Sequence, residues 1–302
     1  MNQIYLVKNL EAAATTVEIQ AAVGANKAFI GKDGAIANTA YTVTLPAGLI
    51  DGVYDLVAVD NAGNVSIIVG GWLTVDNTPP TVTIDQKAGQ NDPTNQNYAD
   101  FTAVFSEPVT GFTNADIDTT GSTVGGTKTI TVTAVSTSVY TVRVAISGGG
   151  ITDGIYKASV KANGAQDTAG NLNQASSSTD NSVTRDTVAP SLSMGELVPL
   201  DGATGVTRSG VISMVFNEPI QLGTGQFRIR QSPSSSIYIN VPSADVVVNA
   251  IDSRIVDITY SGLLGNTAYN IRVDAAGVFK DLAGNDFPTL TKNNTWNFIT
   301  GP

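Results

Sequence analysis

Short runs that alternate apolar and polar residues recur along the 302-residue chain. Phe101-Thr102-Ala103-Val104-Phe105 is one; Tyr156 to Val160 and Tyr269 to Val273 keep the same two-residue period, and Tyr54 to Val59 keeps it in part. Successive side chains of a strand point to opposite faces, so this period predicts half-buried β-strands. Gly, Asn and Asp interrupt the runs where turns are needed. No stretch carries the 3.6-residue period of an amphipathic helix. The pattern therefore predicts an all-β chain.

The interruptions repeat. Asp60-Asn61-Ala62-Gly63-Asn64, Asp167-Thr168-Ala169-Gly170-Asn171 and Asp281-Leu282-Ala283-Gly284-Asn285 each follow an alternating run and precede another apolar one. Asp accepts turn N–H groups and Gly supplies a positive φ, so each pentapeptide reads as a tight turn. Asp76-Asn77-Thr78-Pro79-Pro80 and Asp186-Thr187-Val188-Ala189-Pro190 read as linkers, since proline cannot donate to a sheet ladder. Phe105-Ser106-Glu107-Pro108-Val109 and Phe216-Asn217-Glu218-Pro219-Ile220 each close a strand. These repeats divide the chain into units 1–78, 79–188 and 189–302. Each has the size and strand density of an immunoglobulin-like sandwich. The first is shorter and lacks the Glu-Pro element.

Composition narrows the chemistry. The net charge is −10 and there is neither Cys nor His. Thiol catalysis, Cys-based zinc sites and histidine general bases are excluded. A negative chain is a poor partner for nucleic acid or an anionic membrane and a suitable one for cations. Met1 to Tyr5 has no basic or apolar leader character, and no run is long enough to span a bilayer. The chain reads as a segment of something longer.

The words FSEPVTGFTNADI (105–117), QDTAGNLN (166–173) and DNTPP (76–80) resemble the bacterial Ig-like domains of large surface adhesins and S-layer proteins. PLDGATGVTRSGVISMVFNEPI (199–220) and KDLAGNDF (280–287) resemble the SbsA-type Ig-like domain. The resemblance is good over 79–302 and looser over 1–78. It implies elongated, tandem Ig-like β-sandwiches that act as an extracellular spacer, and it implies calcium at domain junctions.

Whether these residues suit calcium follows from where the fold puts them. Strands run up and down in order, so the turn after the second strand and the turn before the last share one pole. Glu107 and Asp167 should meet there with Asp76 of the preceding linker. Asp186, Glu218 and Asp281 should meet likewise at the second junction. Packed carboxylates raise one another's energy unless neutralised, and calcium takes 6–8 oxygen ligands. Asn61, Asn171 or Asn285 and turn carbonyls could complete a shell. The competing reading is a set of ordinary turns with a solvated acidic surface. Asp60 has no such partners, so its site should be empty or weak.

Trp72 and Trp296 fall in final strands and read as core in preference to sugar-stacking platforms. Tyr54, Tyr156 and Tyr269 read as core or corner tyrosines. Carboxylate pairs can hydrolyse glycosides, but these sit in linkers and turns, so no enzyme is expected. SGGGITDG (147–154) lacks the helix and lysine of a phosphate cradle and reads as a loop. The expected function is a spacer in a cell-surface or secreted adhesin, extracellular and monomeric. Its expected partners are the neighbouring Ig-like domains and a host or environmental ligand. Three units end to end would reach on the order of 100 Å, at ~3.3 Å per strand residue. The alternatives are a carbohydrate- or protein-binding module, an S-layer segment, or an accessory segment of a secreted enzyme.

Overall fold

The computed structural model describes residues 3–8, 27–32, 49–60, 62, 64–231, 235–292 and 295–302. Asn61 and the side chain of Trp72 lie outside the described residues. Strands dominate, and no described helix is long and apolar enough to cross a membrane.

The first part holds β1 (Gln3–Lys8), β2 (Lys27–Lys32), β3 (Gly52–Val59) and β4 (Val65–Val75). They form one antiparallel sheet in the order β2-β1-β3-β4. At the end of the β3–β4 hairpin Asp60 N donates to Asn64 O at 3.0 Å.

The second part comprises β5 (Val82–Gln86), β6 (Tyr98–Phe105), β7 (Ile117–Asp118), β8 (Thr127–Ala134), β9 (Val139–Ser147), β10 (Gly154–Lys157), β11 (Ser159–Val160) and β12 (Ser182–Arg185). One sheet has the order β5-β6-β9-β8. Facing it, β10 pairs with β12 and β11 with β7. Only Ala158 separates β10 from β11, so together they act as the middle strand of a three-stranded layer. In sequence order this is A-B-E-D against C-F-G, the arrangement of a constant-type immunoglobulin sandwich. Alternate residues of each strand fill the gap: Ile84, Phe101, Val142, Val144, Tyr156 and Val183 are all fully buried.

The third part comprises β13 (Ala203–Val206), β14 (Gly210–Val215), β15 (Ile220–Leu222), β16 (Gly225–Gln231), β17 (Ser235–Val241), β18 (Val246–Val248), β19 (Ile255–Tyr260), β20 (Ala268–Val273), β21 (Phe279–Asp281) and β22 (Asn297–Thr300). Its sheets are β14-β19-β18 and β13-β22-β20-β16-β17, with a short β15–β21 pair between them. Ile212, Met214, Phe227, Ile229 and Ile271 interdigitate in its core.

Trp296 precedes β22 and is fully buried beside Phe298, with Nε1 donating to Pro199 O at 2.8 Å. Tyr54 and Tyr269 tie corners: Tyr54 Oη donates to Ile50 O at 2.9 Å, and Leu264 N donates to Tyr269 Oη at 2.8 Å. Tyr156 instead reaches across the sandwich to Gln96 O, at 3.1 Å.

Each complete sandwich carries three aromatic rings at the pole facing the preceding unit. Phe105, Phe112 and Tyr140 meet edge to face, with centroids 4.9–5.8 Å apart. Phe216, Phe279 and Phe287 lie 5.3–6.5 Å apart. Phe216 is fully buried and leads directly into Glu218. Phe216→Ala is expected to destabilise the third unit by about 3–5 kcal/mol, the range for removing a buried aromatic. Denaturant unfolding should show its transition moving alone, with that of the second unit in place.

Candidate metal centres at the unit junctions

Asp167 opens a turn after β11, and the turn is built from its own carboxylate. Ala169 N and Asn171 N donate to Oδ1 at 2.8 and 2.9 Å, and Asn171 Nδ2 donates to Oδ2 at 2.8 Å. Gly170 takes φ +95°, a conformation that side chains resist. Asp281 repeats this after β21: Asn285 N and Nδ2 each donate to it at 2.7 Å, and Gly284 takes φ +92°. Asp60 accepts the same set from Ala62 and Asn64, at 2.8 Å. The residue equivalent to Asn171 and Asn285 is therefore Asn64, not the Asn61 singled out from the sequence.

In the second and third units the asparagine does more. Asn171 Nδ2 also donates to Asp76 O in the linker, at 2.9 Å. Asn285 Nδ2 donates to Asp186 O at 3.0 Å. Each turn thus grips the last residues of the unit before it. Meanwhile Ser106 and Asn217 fix the loop that presents the glutamate. Ser106 Oγ accepts from Thr81 N at 3.1 Å, and Asn217 Oδ1 accepts from Ser191 N at 2.7 Å.

The result brings together all six residues expected from the sequence. Asp76, Glu107 and Asp167 each place a carboxylate oxygen within 4.8 Å of the other two, and so do Asp186, Glu218 and Asp281. Asp167 and Asp281 are buried and the other four are half-buried. Among the described residues these are the only such trios, and no Lys or Arg pairs with any of the six.

The electrostatics follow from the packing. Burial raises the Glu107 carboxyl above its ordinary value, and Asp167 and Asp76 push it further the same way. Burial also raises Glu218, with Asp281 and Asp186 adding to it. Burial opposes the charge on Asp167, but its hydrogen bonds from Asn171, Gly170 and Ala169 win and hold it below the ordinary aspartate range. The first site therefore sets an aspartate held as an anion beside a glutamate that resists becoming one, and at the second site Glu218 resists in the same way.

Two functional residues were missed in the sequence. Asp51 and Asp153 sit just before β3 and β10, and each holds the linker from the preceding side. Asn77 N donates to Asp51 Oδ1 at 2.7 Å, and Thr78 Oγ1 bonds the other oxygen. Thr187 N donates to Asp153 Oδ2 at 3.1 Å, and Arg185 ion-pairs with Asp153 at 2.6 Å. The signal was a further repeat, Asp51-Gly52-Val53-Tyr54 and Asp153-Gly154-Ile155-Tyr156. At the second junction Asn95 N also donates to Ala283 O, at 3.3 Å, linking the two units directly.

Comparison with known proteins fits this architecture. Two family models, each described as a bacterial Ig-like domain, match residues 76–184 and 186–300. The description of the second match is no finer than that. Comparison with curated proteins finds no match. Among solved structures, the N-terminal Ig1-2 module of the Drosophila receptor protein tyrosine phosphatase DLAR aligns at 11% identity, over 74% of this chain and 100% of that one. Its TM-score of 0.18 is too low to bear on fold or function. From the two family matches, the chain belongs to the bacterial Ig-like domains, with two of them in tandem over residues 76–300.

Proposed function

We propose that this chain is a spacer segment of a bacterial cell-surface or secreted adhesin, stiffened where one unit meets the next by calcium. Bacterial Ig-like domains are typically non-enzymatic extracellular modules, and two stand here in tandem. The observation that carries the finer reading is the recurrence of one junction design. Each has a linker aspartate, a strand-end glutamate and a turn aspartate, with an asparagine gripping the linker.

The donor set suits calcium. Calcium–oxygen distances of ~2.3–2.6 Å put ligands on opposite sides of one ion ~4.6–5.2 Å apart, so oxygens within 4.8 Å can share it. All three side chains are hard oxygen donors, with no nitrogen or sulfur to favour a transition metal. When bound, the ion supplies the positive charge that this cluster lacks. The protein supplies the geometry: Asp167 and Asp281 are oriented by their turns, and the glutamates by the Ser106 and Asn217 contacts. Extracellular modules hold calcium at ~10⁻⁴–10⁻³ M, so a saturable site filled to ten times its Kd stabilises the fold by about 1.4 kcal/mol.

Thermal unfolding in chelator and after adding calcium tests this. Calcium should raise the melting temperature by several degrees and magnesium should not. Small-angle scattering should show less spread in the distance between units when calcium is present. Identical melting and scattering in chelator and calcium would overturn the reading.

Glu218→Gln gives a test by sign. Without calcium it removes a repelled charge, so the third unit should melt about 1–4 °C higher. With calcium it removes a ligand, so the gain on adding the ion should shrink to a fraction of the unaltered chain's.

Acidity should act in the same sense. Glu107 and Glu218 bind their protons more tightly folded than unfolded. Lowering the pH from neutral toward the ordinary glutamate value of 4.5 should therefore stabilise the metal-free chain. Asp167, shifted the other way, loses its contribution only below the ordinary aspartate value of 3.8. Chelated samples melted across that range should show a rise followed by a fall, and calcium should flatten the rise.

A further inference from the structure

Away from the junctions, the outer face of the larger sheet in the third unit carries a concentration of positive charge. Arg228 and Arg230 occupy alternate positions of β16, while Phe227 and Ile229, in the other phase, point into the core. Arg272 of β20 lies directly opposite Arg228 in the register. Neighbouring strands are ~4.8 Å apart and alternate residues ~6.6 Å, so the three guanidinium groups share one small patch. Burial lowers the Arg272 pKa, and repulsion from Arg230 and Arg228 lowers it further. Asp274 pairs with Arg228 at 2.6 Å and also lies close enough to Arg272 to act on its charge.

Like charges facing each other across a sheet are destabilising. The chain has only 16 basic residues against 26 acidic ones, yet it places three of them here. On the other neighbouring strand, Tyr238 stands opposite Arg228 and is 55% exposed. Arg228 lies over its ring at 5.4 Å and donates to its hydroxyl at 3.2 Å. Asn270 is held beside Arg272, its Oδ1 accepting from Arg272 Nε at 3.2 Å.

We propose that this face binds an acidic polysaccharide. Guanidinium forks pair with carboxylate or sulfate groups in planar, two-pronged fashion. An exposed tyrosine offers a flat apolar surface with a polar rim, which suits a sugar ring. These residues stand on the three adjacent strands β17, β16 and β20, so a polymer chain can meet them in succession. It does not depend on the carboxylate trios, so it stands or falls separately from the calcium reading.

The test uses the whole chain in chelator, which removes any contribution from calcium. Binding is measured calorimetrically at low ionic strength to heparin, polygalacturonate, neutral dextran and double-stranded DNA. Heparin or polygalacturonate should bind and dextran should not, and added salt should weaken the binding. Heparin alone would identify sulfate as the recognised group, and both would identify anionic sugars in general. Arg230→Gln with Arg272→Gln should weaken binding about tenfold or more. Arg230→Gln alone should give part of that loss. Tyr238→Ser should weaken it, and Asp274→Asn should strengthen it. The proposal fails if neither acidic polymer binds or if the double variant binds as before. It also fails if DNA binds as tightly as the polysaccharides and Tyr238→Ser has no effect.

Discussion

The side-chain amides of Asn171 and Asn285 each hold two things at once. One contact is the aspartate that shapes their own turn, and the other is a carbonyl of the unit before. A single planar group therefore makes the shape of a turn and the path of a linker depend on each other. The carboxylate trio follows from that coupling. The turn fixes the aspartate, and the captured linker delivers the second aspartate. The strand that ends at the same pole delivers the glutamate.

The junctions are also held from behind. Asp51 and Asp153 receive the linker backbone and a linker side chain, so the few residues between units are bonded on both flanks. The aromatic triads lie under the loops that carry the glutamates. The strained part of each junction, three carboxylates in close contact, thus rests on a rigid base.

Much of this was legible in the sequence because the informative residues recur. The period of two marked β6, β10 with β11, and β20, and the repeated Asp and Glu positions, placed on an up-and-down topology, located both trios. Other features depend on pairing that no single stretch shows. Asp51 and Asp153 read as ordinary turn residues until their partners in the linkers are seen. Leu192 and Val198 join the β14 sheet only through isolated bridges, which no alternating pattern announces. Arg228 and Arg230 are visibly spaced two apart, but placing Arg272 beside them requires the β16–β20 register. The choice of Asn61 as the first unit's candidate came from matching residue type without matching position in the turn.

The edges of the two complete sandwiches carry one more consequence. In the third unit, β13 near its start runs parallel to β22 at its end. In the second, Ile84 N donates to Ser177 O and Ser177 N to Val82 O, joining the first strand in parallel to the stretch that leads into the last. When the two ends of such a unit are pulled apart, parallel neighbours slide past each other lengthwise. Their cross-links lie across the direction of pull and are loaded together, whereas an antiparallel hairpin opens one link at a time. A unit joined this way resists such a pull more than one closed by an antiparallel hairpin, and that resistance resides where β13 meets β22 and where β5 meets Ser177.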